Sequence, residues 1–469
     1  MGFGRGQMNI ERSFLITTFT PMFCKHYQKR KNRMHPSYDC IIIGAGISGA
    51  AIARELSHKG YRTLNVDRLA QAGQGSTSNT CAIIRTHYST LEGTAIAYDS
   101  WFDWENWSDY IGVADEKGYA KFNQTGLINI YHQSTVPDKH MRLHDVLGIP
   151  YEIWNREKLL QRMPHFVDDS FFPPLRPEDP RFHDRPRKKI DDTILYYPND
   201  GYINDPVLSV HNIQRAAESK GAAFLFNTEV VAIHTDNNRV QGVGLKDGTR
   251  IHAPVLVNAA GPHSAVINQL AGVDHKMNIK TRPLRHEVHF VPSPETFSYD
   301  QRGLVVGDGD LGGYHRPETG NQILVGSEDP DCDEKDWVDD PDHYNRDVTP
   351  AQYQAQTYRL AKRIPELRIP NSPRGIADLY DVSDDWIPIY DRSHLNGFYL
   401  AIGTSGNQYK NGPAIGRLMA ELIDAVENGH NHDTDPVQVP LHHVDFTLNT
   451  GIFSRNREII QGSTFSVLG

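Results

Sequence analysis

A chain of 469 residues exceeds what one hydrophobic core supports, which predicts two interleaved domains. Its formal charge of −10 is uneven: the first 35 residues carry seven Lys or Arg against one Glu, leaving about −16 on the rest. An acidic body argues against nucleic acid as a partner, and four cysteines without metal or disulfide spacing (Cys24, Cys40, Cys81, Cys332) fit a reducing compartment.

Residues 1–35 hold one apolar patch, 14–23, followed by the basic run 25–33. The patch is too short to span a bilayer, so no membrane span is expected. The preferred reading is a disordered extension and a cytoplasmic protein, with a mitochondrial targeting peptide as the alternative.

The stretch YDCIIIGAGISG, residues 38–49, organises the rest of the chain. The apolar run 40–43 predicts a buried parallel strand, and Gly44, Gly46 and Gly49 give G-x-G-x-x-G at the turn into a helix. Gly44 permits the turn, Gly46 admits a pyrophosphate, and Gly49 lets helix pack on strand; the helix N-terminus adds free N–H groups. An alanine-rich helix, a stop at Lys59-Gly60 and a second strand ending in Asp67 place a carboxylate where it would accept ribose hydroxyls. A dinucleotide is the expected guest.

Small hydroxylated residues crowd 75–80, Ser76 and Thr77 among them, which suits a loop around a polar cofactor. Arg85 follows two isoleucines that look buried, so it either forms a structural ion pair or receives an anionic ligand. Helix is expected over 101–110 and strand over 126–131. Residues 164–199, rich in proline and charge, read as a long irregular segment, either a lid or an interface arm.

Asp205-Pro206 opens a helix that ends at Gly221, and strands are expected at 223–226, 230–235, 240–245 and 250–257. The last leads to Ala259-Ala260-Gly261-Pro262, small enough for a second close approach of backbone to ligand. Antiparallel strands come next, at 287–291, 303–306 and 314–327, then an acidic run, 328–342, read as a solvated loop with no metal register. A helix near 349–363 would cover this sheet. A strand, the loop TSGNQYKNGP and a helix from Pro413 close the pattern, the loop suiting an anion. The histidines at 430, 432, 442 and 443 read as surface residues, so no metal site is expected.

The motifs GSTSNTCAIIR, DGYINDP, VNAAGPHS, YHRPETGNQILVGSEDP, ADLYDVSDDWIPI and GTSGNQYKNGPAIGRLMAELI occur in the order of the sarcosine oxidase and dimethylglycine dehydrogenase branch of the D-amino-acid oxidase superfamily. The chain resembles that branch from Ser37 to about Val426. The resemblance implies an α/β and α+β fold: a Rossmann-like FAD-binding domain (36–90, 196–274, 372–430) interleaved with a mixed, largely antiparallel substrate domain (91–195, 275–371). Residues 431–469 would be a tail.

Position by position, the resemblance makes Gly44, Gly46, Ile47, Ser48, Gly49, Asp67 and Arg68 the ADP site, with Val230 and Val231 beside the adenine and Gly261 near the pyrophosphate. Ser76 and Thr77 would approach the flavin, as would Gly403, Gly406, Asn407, Gln408, Tyr409 and Lys410. Arg85 and Lys410 match two cations that hold a substrate carboxylate, and Tyr314 a pocket tyrosine; His87, Tyr314 and Tyr380 are candidate bases. Asp378 and Asn79 stand where relatives attach flavin covalently, so non-covalent FAD is expected. Leu324 replaces an oxygen-activating lysine and Glu328 a histidine, leaving O2 or another electron acceptor open. The implied activity is oxidation of the C–N bond of a small amine or N-methyl amino acid by hydride transfer to flavin. The alternatives are oxidation of a hydroxy acid or alcohol, and a non-catalytic flavoprotein subunit.

Overall fold

The computed structural model describes residues 38–132 and 135–467, so the readings made for residues 1–35 lie outside it. Cys40–Ile43 is fully buried near the middle of a six-stranded sheet. In spatial order the strands are Ile389–Arg392, Phe398–Ile402, Val255–Asn258, Cys40–Ile43, Thr63–Val66 and Ala223–Leu225. All neighbours run parallel except the pair at the Ile389–Arg392 edge. Alternation within the central strand then assigns the two faces. Cys40 and Ile42 pack under the helices Ile47–His58 and Gly412–Glu427. Ile41 and Ile43 pack toward the three-stranded meander Val230–Asp236, Arg239–Leu245 and Arg250–His252.

A second sheet of nine strands is mostly antiparallel. Its spine is the long strand Thr281–Pro292, which pairs on one side with Gly375–Ser383 and on the other with Gln322–Ser327 and Asp336–Trp337. Gly313–Glu318, Val305–Asp308, Leu127–Ile130, Ile194–Tyr197 and Glu152–Trp154 continue it. The amphipathic helix Pro350–Arg363, capped by Thr349, covers it as expected.

Four readings need correction. Gly375–Ser383, grouped by sequence with the FAD-binding segments, belongs to the second sheet, where nine register pairs tie it to Thr281–Pro292. The helix expected over 101–110 begins earlier, at Leu91, because the Thr90 hydroxyl accepts from the Gly93 N–H, and it breaks at Asn106. The stretch from 431 to 467 is not a loose tail. Gln438–Pro440 and Thr447–Asn449 pair, Leu448 and Phe453 enter the core of the first sheet, and Arg455 binds the buried Asp391 at 2.9 Å. His432 is likewise buried, 3.2 Å from Asp391, rather than on the surface.

The segment 164–199 is mostly irregular, with one short 3-10 turn and the strand Ile194–Tyr197. Two buried arginines of the covering helix hold it in place. Arg363 donates to the carbonyls of Val167 and Asp169 while pairing with Asp308 and Asp310, and Arg359 donates to the Leu175 carbonyl while pairing with Asp333. No helix among the described residues is long and apolar enough to cross a membrane.

Candidate active site

A cavity of about 730 Å³ runs between the two sheets and reaches both the glycine turn at Gly44 and the loop before Gly412. At the first end the walls are backbone. Gly44 sits at φ +113°, and a Cβ there would lie 2.3 Å from the Ala259 carbonyl oxygen. A Cβ on Gly49 would lie 2.3 Å from the Gly44 carbonyl oxygen, so glycine is what lets helix Ile47–His58 seat against the turn. The Asn65 side chain ties Gly44 to Gly49 by donating to both carbonyls at 3.0 Å. The Asp67 carboxylate accepts from the Ala45 and Leu69 N–H groups at 2.8 Å, which fixes it at the end of its strand.

Helix Ile47–His58 has no side-chain cap at its N-terminus, and Gly46, Ile47, Ser48, Thr77 and Gly261 line the cavity around it. The Ile47 N–H donates to the Thr77 hydroxyl at 3.2 Å, and the next N–H groups of the first turn, beside a fixed carboxylate and two glycine turns, suit a pyrophosphate and a ribose, so this end fits the ADP half of FAD. Arg68 and Val230 also line the cavity, with Arg68 paired to Asp342. Three expected residues lie outside the lining. Gly49 packs behind the turn, Val231 is 40% exposed, and Gly403 donates its N–H to Asp381 at 2.7 Å.

The other end is built from side chains. Gly406 is at φ +69°, where a Cβ would lie 2.5 Å from the Tyr380 ring, and Asn407, Gln408, Tyr409 and Lys410 follow it on the wall. The Asn407 side-chain nitrogen is buried without a hydrogen-bond partner among the described residues, a spare donor consistent with a polar cofactor edge. Gly412 opens helix Gly412–Glu427 without a side-chain cap, and Gly416 lets this helix meet helix Ile47–His58 at Ala51.

Lys410 and Arg85 flank Tyr88. The Lys410 Nζ donates to the Tyr88 hydroxyl at 3.2 Å and to the Asn407 carbonyl at 2.7 Å; the Arg85 guanidinium lies 4.2 Å over the Tyr88 ring. Arg85 also donates to the carbonyls of His87 and Val467. Neither cation forms an ion pair among the described residues, although each is about 95% buried. Burial, reinforced by Arg85, holds the Lys410 pKa well below the ordinary lysine range.

Tyr314 reaches the cavity because its cross-strand partner is Gly326; a Cβ there would lie 2.4 Å from the ring. Its hydroxyl contacts the Cys81 sulfur at 3.1 Å, and burial pushes both groups above their ordinary pKa values, keeping them protonated. Asn79 and Asp378, far apart in sequence, meet through a 2.7 Å hydrogen bond, and Tyr344 donates to the same carboxylate. Leu324 is buried beside its register partner Arg316, whose guanidinium is committed to Cys81, Pro317 and Glu318.

Sequence reasoning named His87 as a candidate base but missed the polar block around it, behind Arg85. His87 lines the cavity with its Nε2 2.9 Å from the Asn129 amide nitrogen and its Nδ1 3.6 Å from Asp200, whose other oxygen accepts from Thr86. Burial pushes Asp200 up to about 7 and His87 well down. Asp200 falls in the same DGYINDP stretch that marks the helix start, so its burial had no separate signal. Glu328, read as part of a solvated run, is instead on the cavity wall, where burial raises its carboxyl to about 8. Asp333 of that run is also buried, paired with Arg359 at 2.7 Å. The cause is local: the strand Gln322–Ser327 ends inside the protein, not at its surface.

The sequence profile described as DAO, FAD dependent oxidoreductase, matches residues 39–422. Sarcosine oxidase subunit beta of Rhizobium meliloti (strain 1021) is 27% identical over 412 residues, covering 83% of this chain and 85% of that protein. Glycine oxidase of Geobacillus kaustophilus (strain HTA426) is 21% identical over 423 residues, 86% of this chain and 97% of its own. Among solved structures, L-proline dehydrogenase from P. horikoshii superposes with a TM-score of 0.68 at 22% identity, covering 84% of this chain and 94% of that one, and so shares the fold. With a glycine turn, a carboxylate fixed beside it and a profile match over most of its length, the chain belongs to the DAO family of FAD-dependent oxidoreductases and is an enzyme.

Proposed function

We propose that this enzyme oxidises the C–N bond of a small amine or amino acid, N-methyl amino acids included, whose carboxylate is held by Arg85 and Lys410. The observation that carries this reading is the pair of cations itself: both are buried on one cavity and neither forms an ion pair with a carboxylate among the described residues, Asp200 acting on them only at longer range. Two buried positive charges without counter-charge are costly, and an arriving carboxylate removes that cost. It also draws the Lys410 pKa back up. The names of the relatives, sarcosine oxidase and glycine oxidase, place the same substrate class on proteins similar to this one.

FAD, when bound, supplies the two-electron acceptor. The residues of the chain do the positioning. Gly44, Gly46 and the start of helix Ile47–His58 would hold its pyrophosphate, Asp67 its ribose, and the loop of Asn407 and Gln408 its ring. Arg85 and Lys410 would fix the substrate's carboxylate and so its orientation in the cavity, and Tyr314 with Tyr380 closes the far wall against water. Leu324 carries no ammonium where the resemblance expects an oxygen-activating lysine, which favours an electron acceptor other than O2.

The test is anaerobic bleaching of the bound flavin by glycine, sarcosine, L-proline and other D- and L-amino acids, set against lactate and glycolate. Bleaching by an amine and not by the hydroxy acids is expected; bleaching by hydroxy acids alone overturns the reading in favour of alcohol oxidation. No bleaching at all leaves a flavoprotein subunit without its own catalysis. Slow peroxide release in air is expected, and fast release would contradict the role given to Leu324.

A further inference from the structure

The acids on the cavity wall differ in one respect. Asp67 holds two N–H groups, Glu229 pairs with Lys246, Asp342 with Arg68, Asp378 with Asn79, and Asp381 accepts from Gly403 and Ser264. Glu328 alone among these has no hydrogen bond or ion pair among the described residues. Its carboxyl lies over bare backbone: a Cβ on Gly307 would be 3.2 Å from Glu328 Oε1 and 2.3 Å from Asn129 Oδ1. Glycine at 307 is what lets a free carboxyl and an amide oxygen share this patch, and Asn129 links it to His87.

One cavity therefore offers two buried cations without anions and one carboxyl without a partner. That is the complement of a zwitterion. We propose that Glu328 receives the ammonium of the substrate and takes its proton. The assignment rests on the amine reading above. The step is a proton transfer only: the N–H bond breaks, the proton passes to a Glu328 oxygen, and the lone pair stays on nitrogen, which readies the neighbouring C–H bond for oxidation.

The groups facing Glu328 set its working range. Burial, Asp308 and Asp329 raise its carboxyl to about 8, and Arg85 opposes them; Asp308 is tied to Arg363 and Asp329 lies 3.2 Å from His286. Tyr131 also feels its charge, and His132 faces it across Gly309, where a Cβ would lie 3.4 Å from His132 Nδ1 and 4.0 Å from Glu328 Oε2. Below about pH 8 Glu328 holds a proton and cannot accept another, so the proton transfer strengthens as pH rises through that value.

The experiment uses the full FAD-loaded chain and Glu328→Gln, an isosteric change. Acetate, which has a carboxylate and no amine, is titrated by flavin absorbance from pH 6.5 to 9.5. In the wild type its affinity falls as Glu328 ionises near pH 8; in Glu328→Gln that step is lost, leaving only the fall that Lys410 itself contributes, while affinity at pH 6.5 stays within about twofold. Anaerobic bleaching by the best amine from the panel slows by about a hundredfold in the variant at pH 8.5, and its rise with pH around 8 is lost. Unchanged bleaching and an unchanged pH profile in Glu328→Gln overturn the assignment and leave the amine reading standing. A wild type that no amine bleaches overturns the amine reading first, and this assignment with it.

Discussion

The two ends of the cavity are built on different principles. The end at Gly44 is made of backbone from neighbouring strand-to-helix turns, and its side chains serve mainly to hold that backbone: Asn65 bridges Gly44 and Gly49, and Asp67 holds Ala45 and Leu69. The end at Arg85 is made of side chains brought from distant stretches. Lys410 and Tyr88, in hydrogen-bond contact, are 322 positions apart. Backbone sites tolerate no added atom but need no charge balance. Side-chain sites have room to change shape, but every charge in them needs a partner, and the substrate is the missing one.

The comparison breaks most sharply at Gly44. Gly44→Val puts a branched side chain at φ +113° with its Cβ 2.3 Å from the Ala259 carbonyl oxygen. Strained backbone of this kind costs on the order of 1–3 kcal/mol before the clash is counted. The expected product is a folded protein purified almost free of flavin, with FAD affinity reduced at least about a hundredfold. Flavin-to-protein absorbance ratios measure it; a full complement of FAD in Gly44→Val would refute the role given to this turn.

Arg85 tests the other principle. Arg85→Leu leaves the glycine turn untouched, so FAD content should stay at the wild-type ratio. What falls is kcat/KM for an amino acid, by roughly a hundred- to a thousandfold, the scale of removing one partner of a buried charge pair, about 3–4 kcal/mol. Arg85→Lys keeps the charge but loses the planar fork, and a loss of about tenfold is expected. Loss of FAD in either variant would show that the two ends are not separable.

This contrast also explains what could be read from the sequence. The order IIIGAGISG carries its own structure, because its glycines answer the requirements of one tight turn, and the strand leading into it announces itself by an unbroken apolar run. Arg85 and Lys410 emerge as a pair only through resemblance to a family, since nothing local to either says they converge. Glu328 was hidden more deeply. It opens a run dense in aspartate, where solvation is the natural reading, and its burial comes from where Gln322–Ser327 ends and from the bareness of Gly307, two facts that belong to the sheet and not to the run. The helix at Leu91 was legible at its cap, Thr90, but its small residues gave no amphipathic period to extend it.

Gly326 sits on the boundary between the two principles, since it is a backbone requirement serving a side chain. Gly326→Ala places a methyl group 2.4 Å from the Tyr314 ring and forces that ring toward the cavity. Overpacking of this size costs about 1–3 kcal/mol of stability. FAD content should be kept, thermal unfolding should come a few degrees earlier, and the rate of flavin bleaching should drop about tenfold as the wall moves in. Tyr314→Phe in the same chain should rescue it only in part, because it removes the hydroxyl oxygen 2.5 Å from the new methyl but leaves the ring carbon at 2.4 Å.

The smallest effect is expected where Asn79 meets Asp378. The resemblance places covalent flavin attachment at these two positions in relatives, and here they hold an amide and a carboxylate that bind each other at 2.7 Å, with Tyr344 as a third partner. Neither side chain is a thiol or an imidazole, and the nearby Cys81 is kept as a thiol by burial. FAD should therefore leave the protein on acid precipitation and appear wholly in the supernatant. Asn79→Ala removes one hydrogen bond to a carboxylate that keeps another, which is worth about 1.5 kcal/mol or less. Bleaching rates within about threefold of wild type are expected, with slightly weaker FAD retention on dilution. Flavin that stays with the precipitate would identify a covalent bond instead, and repeating the precipitation with Cys81→Ser would decide whether that sulfur forms it.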